Sequence, residues 1–214
     1  MDFTVLIVTH NRADSLGLTL ESVARCVTSA TWNVLVVDNG STDHTRTVVA
    51  HLTPTFPVPL RYLFEPELGK YGALNAGLRH TDATYIAATD DDAIVTPEWL
   101  ETARAAFARF GADFVGGRVL AQWSATPPAW LDVTNPAVLK VIALQDHGNR
   151  CREYGKGISW PLGVNVAYRR DVFDRVGAFD ASLGRKAGTL RNQAQREWHL
   201  RARAAGATGM YVPE

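Results

Sequence analysis

The chain has 214 residues, and its 22 Lys and Arg residues balance 22 Asp and Glu residues, so the formal net charge is zero. This balance excludes a strong general attraction to nucleic acid or to anionic membranes. The 46% hydrophobic content is enough to pack one core, and the two cysteines, Cys26 and Cys151, are too few for a disulfide framework or a metal cluster.

The first 112 residues alternate between buried, β-branched runs typical of strands and stretches with helical spacing of apolar residues. This alternation predicts an α/β fold with a doubly wound, mostly parallel, Rossmann-like sheet flanked by helices. Pro97 in a first turn and Gly111 just past an end delimit one helix. The predicted strands are Phe3–Thr9, Asn33–Asp38, 60–65 and 85–89. The predicted helices are 12–25, 69–80 and 97–110, together with a helix after the second strand whose N-cap is Ser41 or Thr42.

From residue 113 onward the pattern is looser. It predicts a strand over 113–123, a strand and a short helix within 163–177, and a helix over 195–206, and leaves 124–162 unassigned. No internal repeat or low-complexity linker is present, so we expect a single compact domain in two halves, 1–112 and 113–214. The last residues follow a strand-like stretch, which favours a truncated C-terminus.

Polar residues follow three of the predicted parallel strands: Thr9–Arg12, Asp38–Ser41 and Asp90–Asp92. Ligands of doubly wound sheets bind in the crevice at the carboxyl ends of the strands. We therefore expect these three stretches to open onto one cleft.

Three consecutive acids, Asp90, Asp91 and Asp92, repel one another unless positive charge neutralises them. Oxygen ligands select hard cations such as Mg²⁺ or Mn²⁺, which are often held by one or two carboxylates together with phosphate oxygens. Three acids at the end of an apolar strand therefore favour a divalent metal that arrives with a diphosphate. The alternative is a local cap by Asp91.

Other residues of the expected cleft have an ordinary structural interpretation beside a functional one. Asp38 begins a strong turn sequence, DNGS, but its carboxylate could also bind a base or ribose. Lys70, after Gly69, offers a point charge suited to phosphate, or is a surface lysine. No GxGxxG follows the first strand, and no P-loop or GxSxG motif occurs, which weighs against dehydrogenases, P-loop enzymes and α/β hydrolases.

Five stretches occur in a particular order and spacing: VLIVTHNRADSLGLTLESV, VVDNGSTDHT, GKYGALNAGL, ATDDDAIVTPEWL and GVNVAYRRDVFDRVGAFDASLG. Together they resemble the family 2 inverting glycosyltransferases with the glycosyltransferase-A fold, over nearly the whole chain. The resemblance implies a nucleotide-sugar donor, favours UDP over dTDP or GDP, and implies Mn²⁺ or Mg²⁺ as cofactor. It assigns nucleotide-sugar binding to 1–112 and acceptor binding to 113–214.

The resemblance also implies roles for individual residues. Thr9, Asn11, Arg12 and Asp38 are expected at the base and ribose, and Lys70 and Asn75 near the diphosphate. Asp90 and Asp92 match a D-x-D signature, with Asp92 as the expected metal ligand, Asp90 nearer the ribose and metal, and Asp91 among the nucleotide-binding residues. The WPLGVN loop is expected under the donor sugar and acceptor, through Trp160, Gly163 and Asn165, although Trp160 could equally be a core residue.

The chain departs from the family at the catalytic base. The acidic cluster that the family carries before its RLRAAG-like motif falls on residues 194–197, where Gln195 occupies the usual base position and only Glu197 keeps a carboxylate. Glutamine cannot accept a proton at neutral pH. Glu197 is therefore the candidate base, against the alternative of an exposed helix residue paired with Arg201.

The predicted function is metal-dependent, inverting transfer of a sugar from a nucleoside diphosphate sugar to an acceptor hydroxyl. One alternative is a nucleotide-sugar-binding module with weak or no catalysis. A nucleotidyltransferase is disfavoured, because no glycine-rich loop with an arginine follows the first strand. Free thiols and the lack of a signal peptide or apolar spanning run predict a cytoplasmic protein, at the membrane surface if its acceptor is lipid-linked.

Overall fold

The computed structural model describes residues 1–123, 125–128, 130–132, 135, 138, 142–184 and 193–213. The strands are β1 (Phe3–Thr9), β2 (Trp32–Asp38), β3 (Leu60–Phe64), β4 (Tyr85–Asp90), β5 (Phe114–Gly116), β6 (Arg152–Glu153), β7 (Val166–Arg169) and β8 (Gly209–Tyr211). The α-helices are α1 (Ala13–Val23), α2 (Thr45–Leu52), α3 (Lys70–Arg79), α4 (Trp99–Phe110), α5 (Arg170–Val176) and α6 (Ala194–Ala204). Short 3₁₀ turns occupy Thr53–Thr55 and Ala181–Leu183.

One sheet runs through both halves of the chain, with the strand order β3-β2-β1-β4-β7-β5-β8-β6. The first four strands are all parallel, as predicted. The second half is mixed, because β7 runs antiparallel to both β4 and β5. The chain order changes direction between β1 and β4, and such switch points are where doubly wound sheets bind ligands.

Helices cover both faces of the sheet, and each face has its own hydrophobic core. One core includes Leu16, Leu20 and Val23 of α1 together with Leu100 of α4. The other places Leu78 of α3 and residues of α5 and α6 against the opposite side of the same strands. Because both faces are covered, β2 is buried along its full length, which is why its sequence is apolar up to Asp38 except at Asn33.

Helix α3 packs closely against the sheet at Gly77, where there is no room for a side chain. A Cβ added at Gly77 would be 2.4 Å from Leu6 Cδ1 and 3.2 Å from Val37 Cγ2. The missing side chain therefore lets α3 approach β1 and β2, and brings its N-terminal residue, Lys70, to the carboxyl ends of the strands.

Two local predictions are wrong. Helix α2 begins at Thr45 rather than after a Ser41 or Thr42 cap, and Asp43 Oδ1 instead accepts a hydrogen bond from the Thr45 N–H (3.0 Å). In place of the strand predicted over 113–123 the structure has the three-residue β5, which ends at Gly116. Beyond it, Val119 forms an isolated antiparallel bridge with Gln145. The predicted cap of α4 is confirmed: Gly111 is left-handed and its N–H donates to Phe107.

Candidate active site

The carboxyl ends of β1, β2 and β4 lie side by side at one edge of the sheet. In the register of these strands Thr9 is paired with Asp38, and Val8 is paired with Asp90. The polar stretches that follow the three strands therefore share one crevice, as expected from the alternating pattern. Asp38 and Thr9 are buried, whereas Asp90 is partly exposed.

The three consecutive acids pair with two cations of the chain itself. Arg12 Nη1 lies 2.5 Å from Asp92 Oδ2 and 3.5 Å from Asp91 Oδ1. Lys70 Nζ lies 2.5 Å from Asp90 Oδ1. The sequence suggested Arg12 as a nucleotide ligand and Lys70 as a phosphate ligand or a surface lysine, and their pairing with the acids is visible only in the folded chain.

The three acids differ in their environment. Asp91 is the most buried, and burial raises its pKa, as do the neighbouring carboxylates of Asp92 and Asp90, while Thr9 and Arg12 act in the opposite direction. The Asp92 side chain is 52% exposed and that of Asp90 31% exposed. Asp90 and Asp92 are therefore the acids that a ligand in the crevice can reach.

Arg12 is held in place by the residue before it. Asn11 has a left-handed backbone (φ 52°), and its Oδ1 accepts hydrogen bonds from the N–H groups of Thr42 (2.7 Å) and Asp43 (3.3 Å). The Asn11 N–H in turn donates to Ser41 Oγ (2.9 Å). Asn11 thus ties the β1–α1 loop to the β2–α2 loop, and its side-chain oxygen is used within the protein.

Asp38 is fixed by two donors. Its Oδ1 accepts from the Ser41 N–H (2.8 Å), which is the expected turn, and its Oδ2 accepts from the Tyr62 hydroxyl (2.6 Å). Burial and the hydrogen bond to Asp38 raise the pKa of Tyr62, so this hydroxyl remains a donor. Tyr62 was not recognised in the sequence, since its contact with Asp38 depends on the pairing of β2 with β3.

A buried asparagine, also missed in the sequence, shapes the loop that leads to Lys70. The Asn39 Nδ2 donates to the carbonyls of Glu65 (3.2 Å) and Glu67 (2.6 Å), and its Oδ1 accepts from the Gly69 N–H (2.8 Å). These bonds order the β3–α3 loop directly before α3. The one sequence feature that could have indicated this role is the position of Asn39 directly after a buried strand, but the DNGS stretch was interpreted as an ordinary turn.

An apolar cavity opens beside the acids. With its open mouth it encloses ≈ 840 Å³. Lys70, Asp90, Gly163 and Gln195 are among its partly exposed or exposed lining residues. The buried walls are formed mainly by apolar side chains of the sheet, α3 and α5, among them Leu6, Leu78, Ile86, Val166 and Phe173.

The two candidates for the catalytic position point in different directions. Gln195 lines the cavity, and its Nε2 donates to the Tyr168 hydroxyl at 3.4 Å. Glu197 does not line it. The Glu197 carboxylate accepts from Arg201 Nε (2.7 Å), and Arg201 also donates to the carbonyls of Val176 and Ala178. The pairing with Arg201 that the sequence left open is present, whereas a catalytic role of Glu197 stays a prediction.

Two predicted binding residues have amides that are used inside the protein. Asn75 Nδ2 donates to the Phe179 carbonyl (2.8 Å), and its Oδ1 accepts from the Phe179 N–H (3.1 Å). Asn165 Oδ1 accepts from Trp99 Nε1 (2.9 Å), and its Nδ2 donates to the Arg118 carbonyl (2.8 Å). Their roles at the diphosphate and the acceptor stay predictions.

Of the two remaining loop residues predicted at the acceptor, Gly163 lines the cavity, whereas Trp160 packs against the second hydrophobic core. Trp160 is half-buried and stacks on His199, with ring centroids 5.5 Å apart and planes at 4°. His199 also contacts Phe114, with centroids 4.8 Å apart. Burial lowers the pKa of His199 to about 3, although a hydrogen bond with the Gln195 backbone acts to raise this pKa. The imidazole is therefore neutral in the folded protein. A Cβ at Gly163 would approach Gln195 Oε1 to 3.2 Å.

Three further observations concern metals, thiols and membranes. Within the part of the chain that the structure describes, no three His, Cys, Asp or Glu side chains converge as a metal site. Cys26 and Cys151 are free thiols, as expected. Among the described helices, none combines the length and the apolar character needed to cross a membrane.

Three known proteins illustrate what the chain is similar to. It is 31% identical to the glycosyltransferase AglE of Haloferax volcanii over 118 residues, which cover 54% of this chain and 38% of AglE. The mannosyltransferase PcManGT of Pyrobaculum calidifontis, in complex with GDP-Man and Mn²⁺, superposes with a TM-score of 0.71 and 22% identity over 99% of this chain and 55% of its own. TarS 1-349 of S. aureus, in complex with UDP-GlcNAc, superposes with a TM-score of 0.69 and 18% identity, over 100% of this chain and 59% of its own.

The two structural likenesses confirm the predicted glycosyltransferase-A fold. The chain spans only about two fifths to three fifths of the length of these proteins. The family described as glycosyl transferase family 2 matches residues 4–177, which include the crevice acids, Arg12, Asp38 and Lys70. This chain belongs to glycosyl transferase family 2.

Proposed function

We propose that this protein is a metal-dependent, inverting glycosyltransferase that moves a sugar from a nucleoside diphosphate sugar to an oxygen nucleophile of an acceptor. One observation carries the proposal: in a family 2 chain, reachable acids at Asp90 and Asp92 lie beside the cations Arg12 and Lys70 at the carboxyl ends of the strands. Such an arrangement suits a ligand that carries both a diphosphate and a divalent cation.

The cations support donor binding by exchanging partners. The Arg12 side chain is 52% exposed and that of Lys70 42% exposed, so both can leave their carboxylates without unfolding any element. A diphosphate offers them more acceptor oxygens than a single carboxylate does, and arginine and lysine both bind phosphates well. Asp38, held by Ser41 and Tyr62, is our candidate for a hydroxyl or N–H of the nucleoside.

The donor set fits a hard cation when the nucleotide is present. Asp90 and Asp92 supply carboxylate oxygens, and no third protein ligand converges among the described residues. Mg²⁺ is commonly held by one or two carboxylates together with substrate phosphates, and Mn²⁺ accepts similar oxygen ligands. The metal would act as a Lewis acid on the leaving diphosphate, an effect of several kcal/mol in known sites.

Inversion means that the acceptor attacks the anomeric carbon from the side opposite the departing nucleoside diphosphate. Residues of the chain have to hold the two groups in line, and such positioning can supply a large part of the rate gain. Lys70 and Asp90 line the cavity at its donor side, and Gly163 and Gln195 line it from the second half of the chain. The proposed division of labour between 1–112 and 113–214 rests on this placement.

The base of the nucleotide is proposed to be uracil. The structural neighbours hold GDP-Man in one case and UDP-GlcNAc in the other, so the shared fold accommodates either base. A thermal-shift series of UDP, GDP and dTDP with Mn²⁺ separates them, because a ligand that binds only the folded state raises the melting temperature. The expected result is the largest increase with UDP, and a larger increase with GDP or dTDP would reassign the base.

A binding module without catalysis is the competing function. It is favoured by Gln195, which lines the cavity where the family places a base and which cannot accept a proton. The discriminating experiment measures release of nucleoside diphosphate from a panel of UDP-sugars with Mn²⁺ and with a chelator. Metal-dependent release supports the transferase, whereas tight binding without release from any sugar supports the binding module.

A further inference from the structure

Among the described residues that line the cavity, none is an available base for a hydroxyl acceptor. Transfer to a hydroxyl requires a group that takes up its proton, and such a base typically contributes about a hundred- to ten-thousand-fold in rate. Asp90 is the one carboxylate among the described residues that line the cavity, and the proposed function already assigns its oxygens to the metal. Gln195 cannot accept a proton. Burial raises the pKa of Tyr168, so its hydroxyl stays protonated.

Glu197, the acid nearest to Gln195 in the sequence, does not line the cavity either. Glu197 is on α6, two residues from Gln195, but its carboxylate is bound to Arg201, which is anchored to the carbonyls of Val176 and Ala178. Outside the described residues the sequence has one acid, the last residue, Glu214. Positions 185–192, just before α6, read RKAGTLRN and contain none.

We infer that the attacking group of the acceptor is an oxygen that is already ionised at neutral pH, namely that of a phosphate monoester, instead of a hydroxyl. This inference rests on the proposed glycosyl transfer and names its acceptor class. A phosphate monoester has a second pKa of about 6 and is mostly a dianion at pH 7. One of its oxygens can attack while another accepts a hydrogen bond from the Gln195 amide, which a carboxylate at that position would repel.

The step needs no proton acceptor. A phosphate oxygen of the acceptor forms a bond to the anomeric carbon of the donor. The bond between that carbon and the diphosphate oxygen breaks, and its electron pair leaves with the nucleoside diphosphate. The acceptor dianion becomes a singly charged diester, and the leaving group gains the charge that the acceptor loses. No proton is released or taken up at this step.

The organic part of the ester has two possible sources, an apolar chain or a sugar. The cavity walls are mainly apolar side chains, including Leu6, Ile86 and Phe179. The hydroxyls of a sugar would find few partners among them, and each hydroxyl that is buried unpaired weakens binding. Both sources share the phosphate, and the experiment contains one probe of each kind.

The test compares matched pairs of acceptors with the UDP-sugar that gives metal-dependent release. Farnesyl phosphate is compared with farnesol, and glucose 1-phosphate with glucose, by mass spectrometry of the products. The expected result is transfer to at least one phosphate about a hundredfold or more above its alcohol, since the alcohol lacks a base. If neither phosphate exceeds its alcohol, the inference is overturned, whereas failure of nucleotide sugars to bind would instead overturn the proposed function.

Two variants provide a second readout that does not depend on the true acceptor. Gln195→Glu places a carboxylate in the cavity, so we expect faster hydrolysis of the donor by water and slower transfer to phosphate. Glu214→Gln should change neither rate. Unchanged hydrolysis in Gln195→Glu, or loss of transfer in Glu214→Gln, contradicts the inference.

The pH profile supplies a third readout. For a phosphate acceptor, transfer should decline at low pH as the acceptor becomes protonated, near its second pKa of about 6. A phosphonate analogue with a higher second pKa should shift this decline upward. If transfer declines at the same pH with both acceptors, the titrating group is a base of the protein, and the inference is overturned.

Discussion

Two acid–arginine pairs of similar length have different surroundings in this protein. In the crevice, Arg12 and Asp92 are 2.5 Å apart and each side chain is 52% exposed. On α6, Arg201 and Glu197 are 2.7 Å apart, with 35% and 33% of the side chains exposed, and Arg201 is also bound to backbone carbonyls. The crevice pair is free to exchange for a ligand, whereas the helix pair holds α6 against the end of α5.

The largest expected effect comes from breaking the crevice pair. In Asp92→Ala we expect the Mn²⁺-dependent part of UDP affinity to be lost, because one of two reachable carboxylates is removed. Isothermal titration of UDP with Mn²⁺ and with a chelator measures it, with Glu197→Gln as the matched control on the other pair. A metal effect that survives in Asp92→Ala would contradict the metal assignment.

The second half of the molecule should respond to acid through His199. Burial lowers the pKa of His199 to about 3 in the folded state, from an ordinary value of 6.5. Above pH 6.5 the ring is therefore neutral in both the folded and the unfolded state, and stability does not depend on its protonation. Between pH 6.5 and 3 the unfolded state binds a proton that the folded state does not, and stability falls by at most about 1.4 kcal/mol per pH unit.

Thermal or urea unfolding between pH 7.5 and 4.5 tests this loss, with His199→Phe as the comparison. The variant cannot be protonated at this position, so its stability should fall less steeply with acid. The same slope in both proteins would show that other groups cause the acid sensitivity.

A smaller effect is expected from the loop that presents Lys70. Asn39→Ala removes the bonds to Glu65, Glu67 and Gly69, which should cost roughly 1–3 kcal/mol of stability and weaken UDP binding. Asn75→Ala is the matched variant, since its amide also binds only backbone. It should lower stability and leave UDP affinity unchanged, and an equal loss of affinity would place Asn75 at the diphosphate.

The smallest effect is expected from Glu197→Gln. The pair is on a helix surface and partly exposed, so its loss should cost less than about 1 kcal/mol. Donor turnover should not change. A large loss of turnover in a variant that unfolds at the normal temperature would make Glu197 the base, and would also overturn the phosphate acceptor.

Local patterns predicted much of the first half. The runs at Phe3–Thr9 and Asn33–Asp38 are buried on both faces, so their sequences report strands without reference to partners, and both strands are present within one residue of the prediction. The cap of α2 was misassigned because several residues in NGSTDH can cap, and tertiary contacts bring Asn11 to Thr42 and Asp43. The three-residue β5 is stabilised by β7 and β8, which are distant in sequence.

The sequence by itself determined the alternation of strands and helices, the polar strand ends that share one crevice and the family motifs, because these depend on the periodicity and type of neighbouring residues. Only the tertiary structure decided which side chains meet. Arg12 pairs with acids about eighty positions away, Tyr62 fixes Asp38 across a strand pair, and Gln195 faces the cavity while Glu197 binds Arg201. Such pairings depend on how distant elements pack, which no local pattern records.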